Sequence, residues 1–278
     1  MQRSLLVQLA VVFALVQGLG LTIGYAFIAA QAQGLIEVTS VVNSNPDDSL
    51  NALALLLQIL LMTGVLLFVI KFFPKHKKWF LRLMEIVATT TALLLVTGFF
   101  LPGTLALVLA LGLLLLRFLH PEDLLLRNIV GLIAASVVGA LVGILLGSEP
   151  ILVFLIAISV YDLWAVFGSK HMVEIAQNVA PQNLAFTIAM PTKEHQFELG
   201  TGDLVVPLAF ATSTLGSTIA LGWPNALFLP AGILAAALTG LIVTLDIVEK
   251  KIGRALPALP LQTVFMIVVY LMYVLLAG

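Results

Sequence analysis

Two aspartates, Asp162 and Asp203, interrupt stretches otherwise apolar enough to cross a bilayer. A carboxylate near the centre of a membrane helix costs roughly 2.5–3.5 kcal/mol on insertion scales, so its presence there points to a function. Two carboxylates that meet away from bulk water cannot both ionise cheaply. They share a proton, and one can then act as base while the other acts as acid. That chemistry activates water against a carbonyl, and it equally serves a proton or sodium site.

The surrounding residues narrow the choice. Gly200-Thr201-Gly202 leads into Asp203. Each glycine weakens a helix by about 1 kcal/mol, and both admit a close neighbour. Irregular backbone at membrane depth is tolerated only where it is buried in protein or lines a watery cavity, so water is expected beside Asp203. A third cluster, Pro257-Ala258-Leu259-Pro260, opens the last apolar run. Its prolines lack N–H groups, so its carbonyls are expected to be free for other partners. Tyr161 stands next to Asp162 and either orients a carboxylate or packs beside it.

The elements that position these groups follow from composition. With 61% hydrophobic and 10% charged residues, the chain cannot be an ordinary soluble domain, where the charged share is about one quarter. It reads as an all-α, polytopic membrane protein. Apolar runs place nine spans near Leu5–Ile28, Ala52–Ile70, Leu83–Leu101, Leu105–Leu119, Ile129–Leu146, Ile151–Phe167, Leu199–Leu221, Ala226–Val248 and Ala255–Ala277. The expected organisation is one transmembrane domain over 1–278: six spans in 1–167, a cytoplasmic connection at 168–198 and three spans in 199–278. The first span is read as retained rather than cleaved as a signal peptide, being long for such a segment.

Charge tests this count independently. All 13 Lys and Arg residues fall on one side of the nine-span arrangement: Arg3; Lys71, Lys75, Lys77, Lys78 and Arg82; Arg117 and Arg127; Lys170 and Lys193; and Lys250, Lys251 and Arg254. By the positive-inside rule the N-terminus is cytoplasmic and Gly278 lies outside, with the cell membrane as the expected location. Lys75 to Lys78 reads as part of this topology signal, Arg117 as snorkelling, and Glu85 as solvated at a span end. In the 168–198 connection, Met172–Ala180 reads as a short interfacial helix and Leu184–Met190 as an apolar stretch bounded by Pro181 and Pro191.

On this topology the sixth span runs inward, with Asp162 about 9 Å from its end at Gly168, and the seventh returns with Asp203 about 6 Å along from Leu199. The carboxylates reach similar depth. Consecutive antiparallel spans commonly pack together, so the two can face each other.

Other chemistries find less support. Cysteine is absent, the four histidines are scattered over three connections, and there is no H-E-x-x-H or G-x-S-G motif. No metal, no cofactor and no nucleic-acid partner is expected. A proton- or sodium-coupled secondary transporter using the same carboxylates is the alternative; it calls for an inverted repeat and a midplane site, and no repeat is visible.

Tyr161-Asp162, Gly200-Thr201-Gly202-Asp203 and Pro257-Ala258-Leu259-Pro260, in that order on the sixth, seventh and ninth spans, resemble the YD, GxGD and PALP motifs of presenilin-type intramembrane aspartyl proteases, relatives of signal peptide peptidase. The resemblance covers the whole chain, and the compact sequence is similar to microbial, archaeal-like presenilin homologues. It implies a presenilin-like fold and hydrolysis of peptide bonds within transmembrane helices. Asp162 and Asp203 would be the catalytic pair, with Tyr161, Gly200, Thr201, Gly202, Pro257, Ala258 and Leu259 shaping the site. The implied partners are transmembrane-helix substrates and membrane lipid; a homo-oligomer is left open and accessory subunits are not implied. A substrate helix must unwind before water can attack it, and Leu184–Met190 is the expected strand partner for the opened segment.

Overall fold

Apolar runs of this length must be helical, because hydrocarbon leaves every backbone N–H and C=O to find a partner within its own segment. The computed structural model describes residues 3–42, 45–169, 171–179, 182–192, 196–250 and 257–277. Among the described residues, the long apolar helices are α1 (Arg3–Ala32), α2 (Ser49–Phe72), α3 (Lys77–Phe100), α5 (Leu124–Leu145), α6 (Ser148–Leu163), α8 (Gly202–Thr218), α9 (Phe228–Lys250) and α10 (Leu259–Ala277). The helix α4 (Gly103–Leu119) is apolar but has only 17 residues, whereas α6 and α8 continue through short turns to Gly168 and Leu221, making spans of 21 and 20 residues. At 1.5 Å per residue α4 is about 25 Å long, a tolerable mismatch to a hydrocarbon layer of about 30 Å. The molecule is an all-α membrane bundle, as the sequence predicts, with a short helix α7 (His171–Val179) and one hairpin, β1 (Thr187–Pro191) and β2 (Gln196–Gly200), between α6 and α8.

Local signals set the helix ends. Asp48 and Asp123 cap α2 and α5 by accepting from the backbone N–H groups of Leu50 and Leu126 at 2.9 and 3.0 Å, which satisfies donors left orphaned in a first turn. The outer faces of α2 and α4 expose Leu57, Leu61 and Phe68 and Val108, Leu111 and Leu115. In a membrane these meet lipid.

The bundle is built around α8, which packs on α1, α5, α6, α9 and α10. Small residues allow the approach. A Cβ on Gly143 of α5 would lie 2.6 Å from Thr212 Cβ and 3.0 Å from the Ser213 backbone nitrogen, so only glycine lets α5 and α8 come this close. Across the bundle, Gly240 of α9 fits against the Gln262 backbone of α10 in the same way.

Two boundaries differ from the sequence reading. Leu199 and Gly200 belong to β2, and the seventh span starts only at Gly202; the glycines break the helix there and strand pairing takes over the residues before them. The last span starts at Leu259 among the described residues. Its expected start, Ala255, lies outside them, as do Ala180, Pro181, His195, Gly278 and the charges at Lys170, Lys193, Lys251 and Arg254.

Candidate active site

Asp162 is the penultimate residue of α6 and is 8% exposed. Directly after it, Trp164–Gly168 forms a single π-helical turn. Such widened turns recur at functional sites because they re-aim neighbouring side chains. Asp203 is in the first turn of α8, where a negative charge is favoured by the helix dipole. It therefore sits at the helix start rather than a turn inside, since β2 claims the residues the sequence reading gave to the helix.

The two helices pack against each other, and the carboxylates are close enough for the charge of Asp162 to act on Asp203. The third motif joins them. The backbone N–H of Leu259, an orphan donor at the start of α10, lies near enough to the Asp162 carboxylate to favour its charge. The motif thus places Leu259, between Pro257 and Pro260, beside the acid. Pro257, Ala258 and Pro260 are half-buried around it. On α6, Ser159 also donates to Thr263 of α10 at 2.7 Å, fixing the two helices beside the acid.

The glycine motif is tied down from the other side. Thr201 donates to Phe186 O through both its backbone N–H (3.1 Å) and its Oγ1 (3.0 Å). Gly200 ends β2, and Gly202 opens α8 on an exposed face. A cavity of about 430 Å³ reaches Gly200, Thr201 and Gly202 between α2, α3 and α7. Tyr161 shares a hydroxyl hydrogen bond with His171 Nε2 at 2.8 Å. It ties α6 to α7, a positioning role where the sequence alone allows either function or packing.

A sequence profile of the family described as signal-peptide peptidase, presenilin aspartyl protease matches residues 10–278. The chain belongs to this family. It is an intramembrane aspartyl protease, an enzyme that hydrolyses peptide bonds within membrane-spanning substrates. Its fold is similar to two solved structures of a presenilin family intramembrane aspartate protease. In the C222 space group the TM-score is 0.71 at 22% identity, covering 98% of this chain and 99% of that one; in P2 it is 0.67 at 23% identity, covering 97% of each. No curated protein matches the chain.

Within this protease a buried polar network holds the hairpin that precedes Asp203. Glu85 and Arg117 are 2% and 4% exposed, so neither is solvated nor snorkelling. Arg117 donates to Glu85 Oε1 through Nε (3.1 Å) and Nη2 (3.0 Å), and also to Asn183 O. Glu85 further accepts from Arg82 at 2.6 Å and from the Ala185 N–H at 2.9 Å. Arg127, 1% exposed, donates to Asn183 Oδ1 at 2.6 Å and to both Glu198 oxygens at 3.1 and 3.0 Å. Sequence reading missed this network and the hairpin. The signals were three charges at the edges of apolar spans and the polar–apolar alternation of Gln196-Phe197-Glu198-Leu199.

Pairing geometry identifies the open strand edge. The Thr201 N–H to Phe186 O bond marks a hydrogen-bonded pair. By alternation Ile188–Leu199 and Met190–Phe197 are bonded too, and Ala189 and Glu198 turn their backbone groups outward. Asn128 covers both outward groups of Ala189, donating to its oxygen (2.8 Å) and accepting from its N–H (2.9 Å). The outward groups of β2 at Glu198 and Gly200 have no backbone partner among the described residues.

Proposed function

We propose that Asp162 and Asp203 are the catalytic pair of this protease. What supports the reading most is their meeting across α6 and α8, with the start of α10 beside Asp162. The pair holds one proton. Its ionised member draws a proton from water, the water attacks the scissile carbonyl, and the protonated member hydrogen-bonds the developing oxyanion and then protonates the leaving amine. The two acids titrate as a unit, so their roles belong to the pair.

Tyr161 braces α6, Gly200, Thr201 and Gly202 set the approach to Asp203, and Pro257, Ala258 and Leu259 hold the acid and the floor of the site. An unwound substrate adds as a strand to the outward edge of β2. This edge is preferred to the expected partner, Leu184–Met190, because Asn128 covers both outward groups of Ala189 in β1. Strand addition satisfies the opened backbone without reading much sequence.

The charge pattern supports a cell-membrane protein with one transmembrane domain, N-terminus inside and C-terminus outside. Purified protein given a single-span substrate in detergent tests the assignment. Asp162→Ala and Asp203→Ala should each abolish cleavage, while undiminished cleavage in either would end it. Carboxylate-dependent ion-coupled solute uptake into proteoliposomes, with no proteolysis, would revive the transporter alternative.

A further inference from the structure

A topology signal needs only a count of positive charges on one side of the membrane; it does not need them to line a cavity. Yet Lys77, Lys78 and Arg82, all from the first turns of α3, line a cavity of about 550 Å³ between α3, the end of α4 and α7. The amides of Asn178 and Gln182 and the carboxylate of Glu122 complete its polar wall. Three cations face one acid.

Those cations are unevenly engaged. Arg82 is paired with Glu85 at 2.6 Å. Lys77 donates to the neutral Asn178 Oδ1 at 2.7 Å, and among the described residues neither Lys77 nor Lys78 has an acidic partner. Positive charge is therefore left over along the cavity wall, on half-buried Lys77 and exposed Lys78. Lys75, from the same run, does not line it.

The surroundings show where a neutralising anion comes from. Phe118 lines the cavity and is 63% exposed; Trp79, the residue after Lys78, and Phe73, just before α3, are exposed at 68% and 48%. Large aromatics at the ends of spans mark headgroup depth, and basic recesses between spans at that level suit lipid phosphates. A soluble anion would have no use for the apolar rim.

We propose that this cavity seats the phosphate of an anionic membrane lipid, held by the ammonium groups of Lys77 and Lys78, with its acyl chains lying along Phe118 and Trp79. Since Lys77 also holds Asn178, the bound phosphate joins α3 to α7. Lys75 remains a topology charge only.

Trp79 reports on the site directly. In a Trp164→Phe, Trp223→Phe protein reconstituted in phosphatidylcholine nanodiscs, brominated phosphatidylglycerol should quench Trp79 at much lower mole fraction than brominated phosphatidylcholine. Lys77→Gln and Lys78→Gln should each reduce that preference about five-fold, while Lys75→Gln leaves it unchanged. Glycerol phosphate at matched concentration should not compete. Equal quenching by the two lipids, an equal loss with Lys75→Gln, or displacement by glycerol phosphate would each overturn the proposal. Native mass spectrometry of protein carrying the original tryptophans gives an independent reading. Phosphatidylglycerol should be retained preferentially and lost in Lys77→Gln/Lys78→Gln; equal retention in both proteins would overturn the site.

Discussion

Arg127→Met tests whether the hairpin is held by the buried guanidinium. The variant removes the bonds to Asn183 and to both Glu198 oxygens. Glu198 keeps Thr187 Oγ1 at 2.7 Å and Gln196 Nε2 at 2.6 Å, and its side chain is 21% exposed. The cost therefore falls at the lower end for breaking a buried pair, about 3 kcal/mol. Glu198→Gln instead strands a cation that is 1% exposed and whose Nε already has no partner. That costs more, about 4 kcal/mol. In the double variant neither charge is orphaned, so the effects should fall short of their sum by about 2 kcal/mol. The assay is reversible unfolding in mixed SDS micelles for all four proteins, with substrate cleavage measured where each is folded. Cleavage should drop in Arg127→Met under folded conditions, because β2 runs directly into Gly200 and Asp203. Additivity within about 0.5 kcal/mol, or full cleavage in Arg127→Met, would refute the reasoning.

Asn128→Leu orphans the Ala189 N–H and C=O and should destabilise the protein by about 2 kcal/mol in the same unfolding assay. Gly143→Leu drives a side chain into Thr212 and the Ser213 backbone and should cost at least about 1–3 kcal/mol, read as a lower melting temperature. Burial holds the His171 imidazole below its usual value of 6.5, against the opposing charge of Glu174. The unfolded chain therefore binds more protons than the folded one just below pH 6.5, so stability falls as the pH drops through 6.5 and levels off below the folded value. His171→Gln should flatten that portion of the stability–pH curve, and an unchanged curve would remove His171 as its source.

The membrane spans were legible because hydrocarbon imposes a single rule on them: long apolar runs become helices. The motif order on the sixth, seventh and ninth spans likewise announced the family. What the sequence hid depends on contacts far apart in the chain. Glu85 and Arg117 each look like a charge at a span end, and only packing of α3 against α4 makes them partners. The hairpin escaped because Thr187–Pro191 is merely a short apolar segment until Gln196–Gly200 pairs with it. Leu259 was legible as part of a motif but its place beside Asp162 was not, since an orphan N–H at a helix start has no side-chain signature.

Cleavage of one single-span substrate by Asp162→Asn, Asp203→Asn and the double variant tests most directly that the two acids act as one unit. Groups that share a single chemical step lose nearly everything when either is removed. Both single variants should fall to the same residual rate as the double variant, with all three still folded. A single variant that keeps substantial activity, or a double variant slower by the product of the two separate effects, would contradict the account.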